Sequence, residues 1–268
     1  MSPTDAGLGP DDIAVDPQSF RLDGKHVLVT GAGRGLGQGI AVSAARCGAS
    51  LTIVARTAGQ LETTKALIDD LGGHCDIVTA DLSDAHGLDA VVDRAWSRQP
   101  LAGVVHAAGT QLRKPAVEVT IDDWRHVQAV NLDAPYFVST AIARRQLAAG
   151  LRGSHVFIGS LNCTIGFARL SPYAASKTAL LGVARVMSAE WAAHGLRANV
   201  LAPGYFRTEL TSDFLADPEN EARLLSRIPA REFGRPRDVG SLAVFLLSDA
   251  SNYLTGQLLN VDGGWLAT

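Results

Sequence analysis

The sequence predicts an α/β protein: a doubly wound, parallel seven-stranded sheet with helices on both faces, the Rossmann arrangement, in a single domain. Three observations predict it. Seven short apolar runs recur along the 268 residues and alternate with helical stretches. These runs are apolar at nearly every position rather than every second one, which means burial on both faces of a parallel sheet. The first run leads through a glycine-rich turn directly into a helix, "VLVTGAGRGLGQGI".

The elements follow in order. Residues 1–20 are rich in Pro, Gly and Asp and show neither a basic stretch nor an apolar one. They read as a flexible tail, not a signal peptide, and the domain is expected over 21–268. "HVLVT" (26–30) is the first strand, and a helix follows Gly37. "LTIVA" (51–55), a helix near 59–72, "DIVTA" (76–80) and a helix near 84–98 continue the alternation. After "GVVHA" (103–107) one long helix is expected over 120–149, and "HVFIG" (155–159) is the fifth strand. Ser171-Pro172 forms a helix start, with the serine as cap and proline preorganised in the first turn. That helix runs to about His194 and stops at Gly195. "RANVL" (197–201), a helix near 236–248 and "QLLNV" (257–261) complete the set.

Composition excludes several classes. The net charge is −3 with no long basic run, which leaves no footprint for nucleic acid. No apolar run approaches the roughly 20 residues of a membrane helix. Cys47, Cys75 and Cys163 are odd in number and far apart, which argues against a disulfide scaffold or zinc site and suits the cytoplasm. The seven histidines show no metal-ligand spacing, so no metal is expected.

Two groups of residues carry chemistry. Gly31, Gly35 and Gly37, with Arg34 and Leu36 between them, form a T-G-x-x-x-G-x-G turn between strand and helix. Such glycines let backbone N–H groups approach a pyrophosphate at the helix N-terminus. The second strand ends in Ala55-Arg56, where a ribose-selecting carboxylate would favour NAD(H). With Arg34 and Arg56 there instead, a 2′-phosphate is favoured, hence NADP(H), with NAD(H) as the alternative. In "SPYAASKTALL" Tyr173 and Lys177 are spaced i,i+4 and share a helix face. An ammonium beside the phenol favours phenolate, so Lys177 is expected to lower the Tyr173 pKa.

With "DL" at 81–82, "HAAG" at 106–109, "NL" at 131–132, Ser160, "PGYFRT" at 203–208 and "GQLLNVDGG" at 256–264, the chain resembles the classical short-chain dehydrogenase/reductases over residues 21–268. The resemblance implies that Asn131, Ser160, Tyr173 and Lys177 are catalytic. Tyr173 would be the acid/base, Ser160 would bind the reacting oxygen, Lys177 would hold the nicotinamide ribose, and Asn131 would hold a relaying water. It implies cofactor contacts from Asp81 to the adenine, with Leu82 beside it, from Ala108 and Gly109, and from Pro203, Gly204, Phe206 and Thr208. The family's Asn-Asn-Ala-Gly is His106-Ala107-Ala108-Gly109 here, so the asparagine that helps tie the central sheet is replaced.

"APGYFRTEL", "DPENEARLLSRIPA" and "VDGGWLA" are similar to the gluconate 5-dehydrogenase and 2-deoxy-D-gluconate 3-dehydrogenase branch. The expected activity is hydride transfer between NADP(H) and a secondary alcohol or ketone, a sugar acid in that branch. The alternatives are a 3-oxoacyl-(acyl-carrier-protein) reductase and a non-catalytic dinucleotide-binding regulator. Arg113, Asn162, Tyr205 and Arg207 are candidates for the substrate pocket, with surface placement an equal reading for Arg113 and Arg207. Cys163 reads as packing volume. The family's assembly through two long helices implies a homotetramer.

Overall fold

The apolar runs become seven parallel strands hydrogen-bonded in one sheet of order β3-β2-β1-β4-β5-β6-β7. The strands are β1 His26–Thr30, β2 Ser50–Ala55, β3 His74–Thr79, β4 Leu101–His106, β5 Gly153–Ile158, β6 Leu196–Pro203 and β7 Leu258–Val261. The structure is a computed structural model that describes residues 14–207 and 217–268. Most of the expected tail and Thr208 lie outside the described residues. Within 14–20, Pro17–Phe20 forms a short 3-10 turn, and Phe20 stacks on Phe245 at 6.1 Å.

Helices cover both faces of the sheet, and the strands β1, β5 and β6 are buried on both sides throughout. On one face lie α1 Gly35–Arg46, α2 Ala58–Asp69 and, by later return of the chain, Pro236–Leu247. They share a core with Val27, Val29, Leu51 and Ile53. On the other face lie α3 Leu88–Trp96, α4 Ile121–Gln128, α5 Ala134–Ala149 and α6 Ser171–Trp191. The apolar sides of α3, α5 and α6 pack with Leu28, Val54, Val104 and Phe157. In chain order the last two helices are α7 Pro218–Arg227 and α8 Pro236–Leu247. Among the described residues, no helix is long and apolar enough to cross a membrane.

Three elements differ from expectation. The single helix over 120–149 is broken by a π turn at Ala129–Asp133. Pro135 lacks the N–H that would bond the carbonyl of Asn131 four residues back, so the helix widens there. Ser171 is the first helical residue rather than a side-chain cap, and Leu170 takes the cap position without a side-chain bond. Helix α7 was not expected. Its start is marked by Asp217, whose carboxylate accepts from the Glu219 N–H at 3.0 Å, and by Pro218 in the first turn. At the other end of α6 the expected stop is present, with Gly195 left-handed at φ 77°.

His106 takes over a different tie. Its Nε2 meets Ser139 Oγ on α5 at 2.7 Å, and its ring stacks on Phe157 at 5.0 Å. The side chain therefore fastens β4 to a helix and to the ring of the neighbouring strand. His155 is equally buried, with Nε2 3.0 Å from Gln146 Oε1.

Burial holds both imidazoles neutral: His106 lies well below the usual range and His155 is pushed down to about 3. The unfolded chain, with histidine pKa values of about 6.5, takes up protons first as pH falls. Stability is therefore complete above about pH 7 and is lost progressively below about pH 6.5. His155 alone should remove about 2 kcal/mol by about pH 5. Urea unfolding at about pH 7.5 and 5 should show this loss, and His155→Gln should shrink it by a similar amount. An acid loss unchanged in that variant would show that His155 does not contribute.

Candidate active site

The carboxyl ends of β1, β3, β4, β5 and β6 open on one cavity of about 1300 Å³. This is where an open parallel sheet reverses its strand order, between β1 and β4, and leaves a crevice.

One end of the cavity is a backbone cradle. Gly31 is left-handed at φ +66°, and a Cβ there would sit 2.5 Å from the Ala108 nitrogen. A Cβ on Gly37 would sit 2.2 Å from the Gly31 carbonyl oxygen. Only glycine fits either position, because Gly31 packs against the loop after β4 and Gly37 against the backbone of Gly31 itself. Arg34 occupies the cap position of α1, and its side chain makes no capping bond to the helix. Gly35 and Leu36 continue this wall. Arg34 and Arg56 are exposed at the cavity rim. Asp81 and Leu82 form the wall beyond β3. Asp81 Oδ1 accepts from Ser83 N at 2.9 Å and Ser83 Oγ at 2.8 Å. These bonds, with the nearby Arg56 charge as a smaller contribution, hold its carboxyl low. The cradle, the open helix N-terminus and the two guanidiniums fit a phosphate-bearing dinucleotide.

The other part of the cavity brings together Ser160, Tyr173 and Lys177, together with Ala108, Gly109, Pro203, Gly204 and Phe206. Ser160 follows β5, while Tyr173 and Lys177 lie on the first turns of α6, on one face as i,i+4 spacing requires. Lys177 is 4% exposed, and its ammonium donates to the Ile158 carbonyl at 2.7 Å. Burial pushes its pKa down to about 8. The nitrogen lies 5.7 Å from the centre of the Tyr173 ring.

The Tyr173 phenol differs from expectation. Burial raises its pKa, a hydrogen bond with Ser160 works against the rise, and Lys177 is not among the causes. The lysine is spent on the end of β5, and desolvation outweighs a more distant charge. Asn131 is fully buried in the π turn and does not line the cavity directly. Its Oδ1 accepts from Thr110 N at 2.8 Å, and its Nδ2 donates to Thr110 O at 2.9 Å and Ser176 Oγ at 3.1 Å. The Asn131 and Lys177 side chains both border the open face of Gly109.

Of the candidate pocket residues, Arg113, Asn162, Tyr205 and Arg207 all line the cavity. Arg207 is engaged by Glu221 and lies over the Phe233 ring at 5.0 Å. Cys163 donates its thiol hydrogen to the Lys177 carbonyl at 3.0 Å and is raised by burial, so it is a packing group rather than a nucleophile. The sequence reading missed Arg223, Arg227 and Trp265, which also line the cavity. Arg227 stacks over Trp265 at 4.3 Å. Burial raises the Tyr205 phenol, while the charges of Arg113, Arg227 and Arg223, which line the same cavity, work against the rise. The i,i+4 spacing of Arg223 and Arg227 in "EARLLSR" was the available signal.

Comparison with known proteins gives a consistent result. The family model described as Enoyl-(Acyl carrier protein) reductase matches residues 31–266. A 2-dehydro-3-deoxy-D-gluconate 5-dehydrogenase of Dickeya dadantii is 37% identical over 250 residues, 93% of this chain and 98% of that protein. A galactitol 2-dehydrogenase (L-tagatose-forming) of Cereibacter sphaeroides is 38% identical over 251 residues, 92% of this chain and 96% of that protein. The crystal structure of a gluconate 5-dehydrogenase from Burkholderia cenocepacia in complex with NADP and tartrate superposes with a TM-score of 0.89. It shares 35% identity and covers 94% of this chain and 98% of its own. Relatives of this identity over nearly the whole length, on the same fold, make the chain a member of the short-chain dehydrogenase/reductase family, an oxidoreductase acting on CH–OH groups.

Proposed function

We propose that this oxidoreductase uses NADP(H) to interconvert a secondary alcohol and a ketone on a sugar acid. The observation that carries the substrate class is that Arg113, Arg223 and Arg227 line the same cavity as Ser160 and Tyr173. Guanidiniums pair with carboxylates through charge-assisted, often bidentate hydrogen bonds. The relatives named for sugar acids, and the neighbour solved with NADP and tartrate, support this reading.

The cofactor would lie along the glycine cradle, held by Gly31, Gly35, Leu36 and Gly37 at its phosphates and by Asp81 and Leu82 at its adenine. Ala108, Gly109, Pro203, Gly204, Phe206 and, by resemblance, Thr208 would line its nicotinamide end. When bound, the nicotinamide supplies or accepts the hydride. The chain handles the proton. Tyr173 gives it to, or takes it from, the reacting oxygen, and Ser160 donates a hydrogen bond to that oxygen as charge develops. Lys177, with its pKa lowered to about 8, can exchange a proton near neutral pH and so restore the phenol. Asn131 fixes the Thr110 backbone beside this path and, by resemblance, would hold the relaying water.

A panel of sugar acids, galactitol and an acetoacetyl thioester, followed by nicotinamide absorbance, tests the reading. Sugar acids should give the highest kcat/KM. Tyr173→Phe should lose at least about 10²-fold in turnover while still binding cofactor. Faster turnover of the neutral polyol or the thioester would overturn the sugar-acid assignment. Cofactor binding with no turnover on any substrate would favour the regulator.

For the cofactor, Arg34 and Arg56 carry the argument. A charge-assisted bond is worth roughly 1.5–3 kcal/mol, so NADP(H) should be preferred over NAD(H) by about tenfold or more. Combining Ala55→Asp with Arg56→Leu should reverse the preference. Equal kcat/KM for both cofactors in the wild type would show that Arg56 does not reach the ribose.

The working form we propose is a cytoplasmic homotetramer. Trp124, Tyr136, Phe137 and Val186 on α4, α5 and α6 are exposed large apolar residues on the helices that would meet, and such surface favours association. Light scattering should report about four copies of the 28.2 kDa chain. A particle of one chain mass would rule the tetramer out.

A further inference from the structure

Ser160 has an unusual neighbour. Its Oγ accepts two hydrogen bonds from one residue: the backbone N–H of Asn162 at 3.2 Å and the side-chain Nδ2 of Asn162 at 3.2 Å. A serine hydroxyl offers two lone pairs and one hydrogen. With both acceptor positions filled, only the hydrogen is left to give. Tyr173 lines the same cavity as Ser160, and Ser160 works to lower its phenol pKa against the effect of burial.

Asn162 is held firmly enough to impose this. Its carbonyl accepts from Thr178 Oγ1 at 2.8 Å, and the thiol of the next residue, Cys163, donates to the Lys177 carbonyl at 3.0 Å. Both anchors lie on α6, the helix of Tyr173 and Lys177. The side chain is 7% exposed, and its Oδ1 is buried without a hydrogen-bond partner among the described residues. Buried polar atoms are nearly always paired. Turning the amide over would give Oδ1 a partner, the Ser160 hydroxyl, and would take that hydrogen away from Tyr173. The observed orientation leaves the oxygen unmatched and keeps the donor on the serine.

We propose that Asn162 is a positioning residue that makes Ser160 an obligate hydrogen-bond donor toward the reaction centre. The recipient is the Tyr173 oxygen in the free protein and the substrate oxygen during turnover. This rests on the roles of Ser160 and Tyr173 proposed above.

Asn162→Asp and Asn162→Ala separate positioning from packing. Aspartate matches asparagine in size but presents an acceptor where the donor was, so the Ser160 hydrogen turns toward it. Losing one donor to a developing oxyanion typically lowers kcat by about 10²–10³-fold. Asn162→Asp should approach that loss, Asn162→Ala should lose about tenfold, and the KM for cofactor should be nearly unchanged in both. The basic limb of the pH profile should move up by about one pH unit or more in Asn162→Asp.

A second readout needs no turnover. Tyrosinate absorbance, wild type minus Tyr173→Phe, should titrate at higher pH in Asn162→Ala and higher still in Asn162→Asp. In a Ser160→Ala background Asn162→Ala should add nothing to either readout. An Asn162→Asp variant milder than Asn162→Ala, or an Asn162→Ala effect that persists without Ser160, would overturn the proposal. A wild type that turns over no substrate would defeat the functional reading alone, because the absorbance titration still reports the Asn162–Ser160–Tyr173 link. If Asn162→Ala does not fold, the size-matched Asn162→Asp carries the test.

Discussion

The ammonium of Lys177, a residue almost closed to solvent, donates to the carbonyl of Ile158, the last residue of β5. Much of the active-site geometry hangs on that bond. It joins the strand that delivers Ser160 to the helix that delivers Tyr173. A buried cation must find a partner, since leaving it bare costs far more than an ordinary unmade hydrogen bond. The helix is therefore pulled onto the strand end. The Thr178–Asn162 and Cys163–Lys177 bonds then stitch the intervening loop along the same seam. The cost appears in the lysine itself, whose proton is held less tightly than in water.

Much of this was legible before any coordinates. The near-continuous apolar runs at 26–30 and 51–55 announce a sheet buried on both faces, and the glycines at 31, 35 and 37 announce a tight turn that a pyrophosphate can approach. The Tyr173–Lys177 spacing places both side chains on one helix face. What could not be read was long-range. Nothing local to Tyr173 tells that its neighbour's charge is spent on β5. The direction of the phenol shift follows from burial, which only the folded chain defines. Arg113 comes into one cavity with Tyr205, Arg223 and Arg227 from far away in sequence. The broken helix at 129–133 was readable in principle from Pro135, but the uninterrupted apolar pattern on either side masked it.

His106 shows how a departure from a family pattern can be absorbed. An asparagine at the end of β4 could reach only short distances, whereas an imidazole reaches Ser139 on α5 and lies flat on Phe157. The exchange replaces a polar contact with a hydrogen bond plus an aromatic contact. It also adds a buried base that must remain neutral. The local chain path through Ala107-Ala108-Gly109 still seats Ala108 against Gly31, so the cradle does not depend on which side chain precedes it.

The order in which the chain supplies the cavity divides it in two. The phosphate cradle, Arg56, Asp81 and the 107–109 loop are all laid down within the first 109 residues. The aromatic and cationic end, from Tyr205 through Arg223 and Arg227 to Trp265, comes from the last quarter. Arg113, Phe167, Leu170 and the catalytic seam are among the lining residues that lie between. Exchanging the C-terminal quarter between relatives would therefore recast what is oxidised or reduced while leaving the choice of dinucleotide in place. A fold arranged in this way can diversify its substrates by drift in one contiguous stretch of gene.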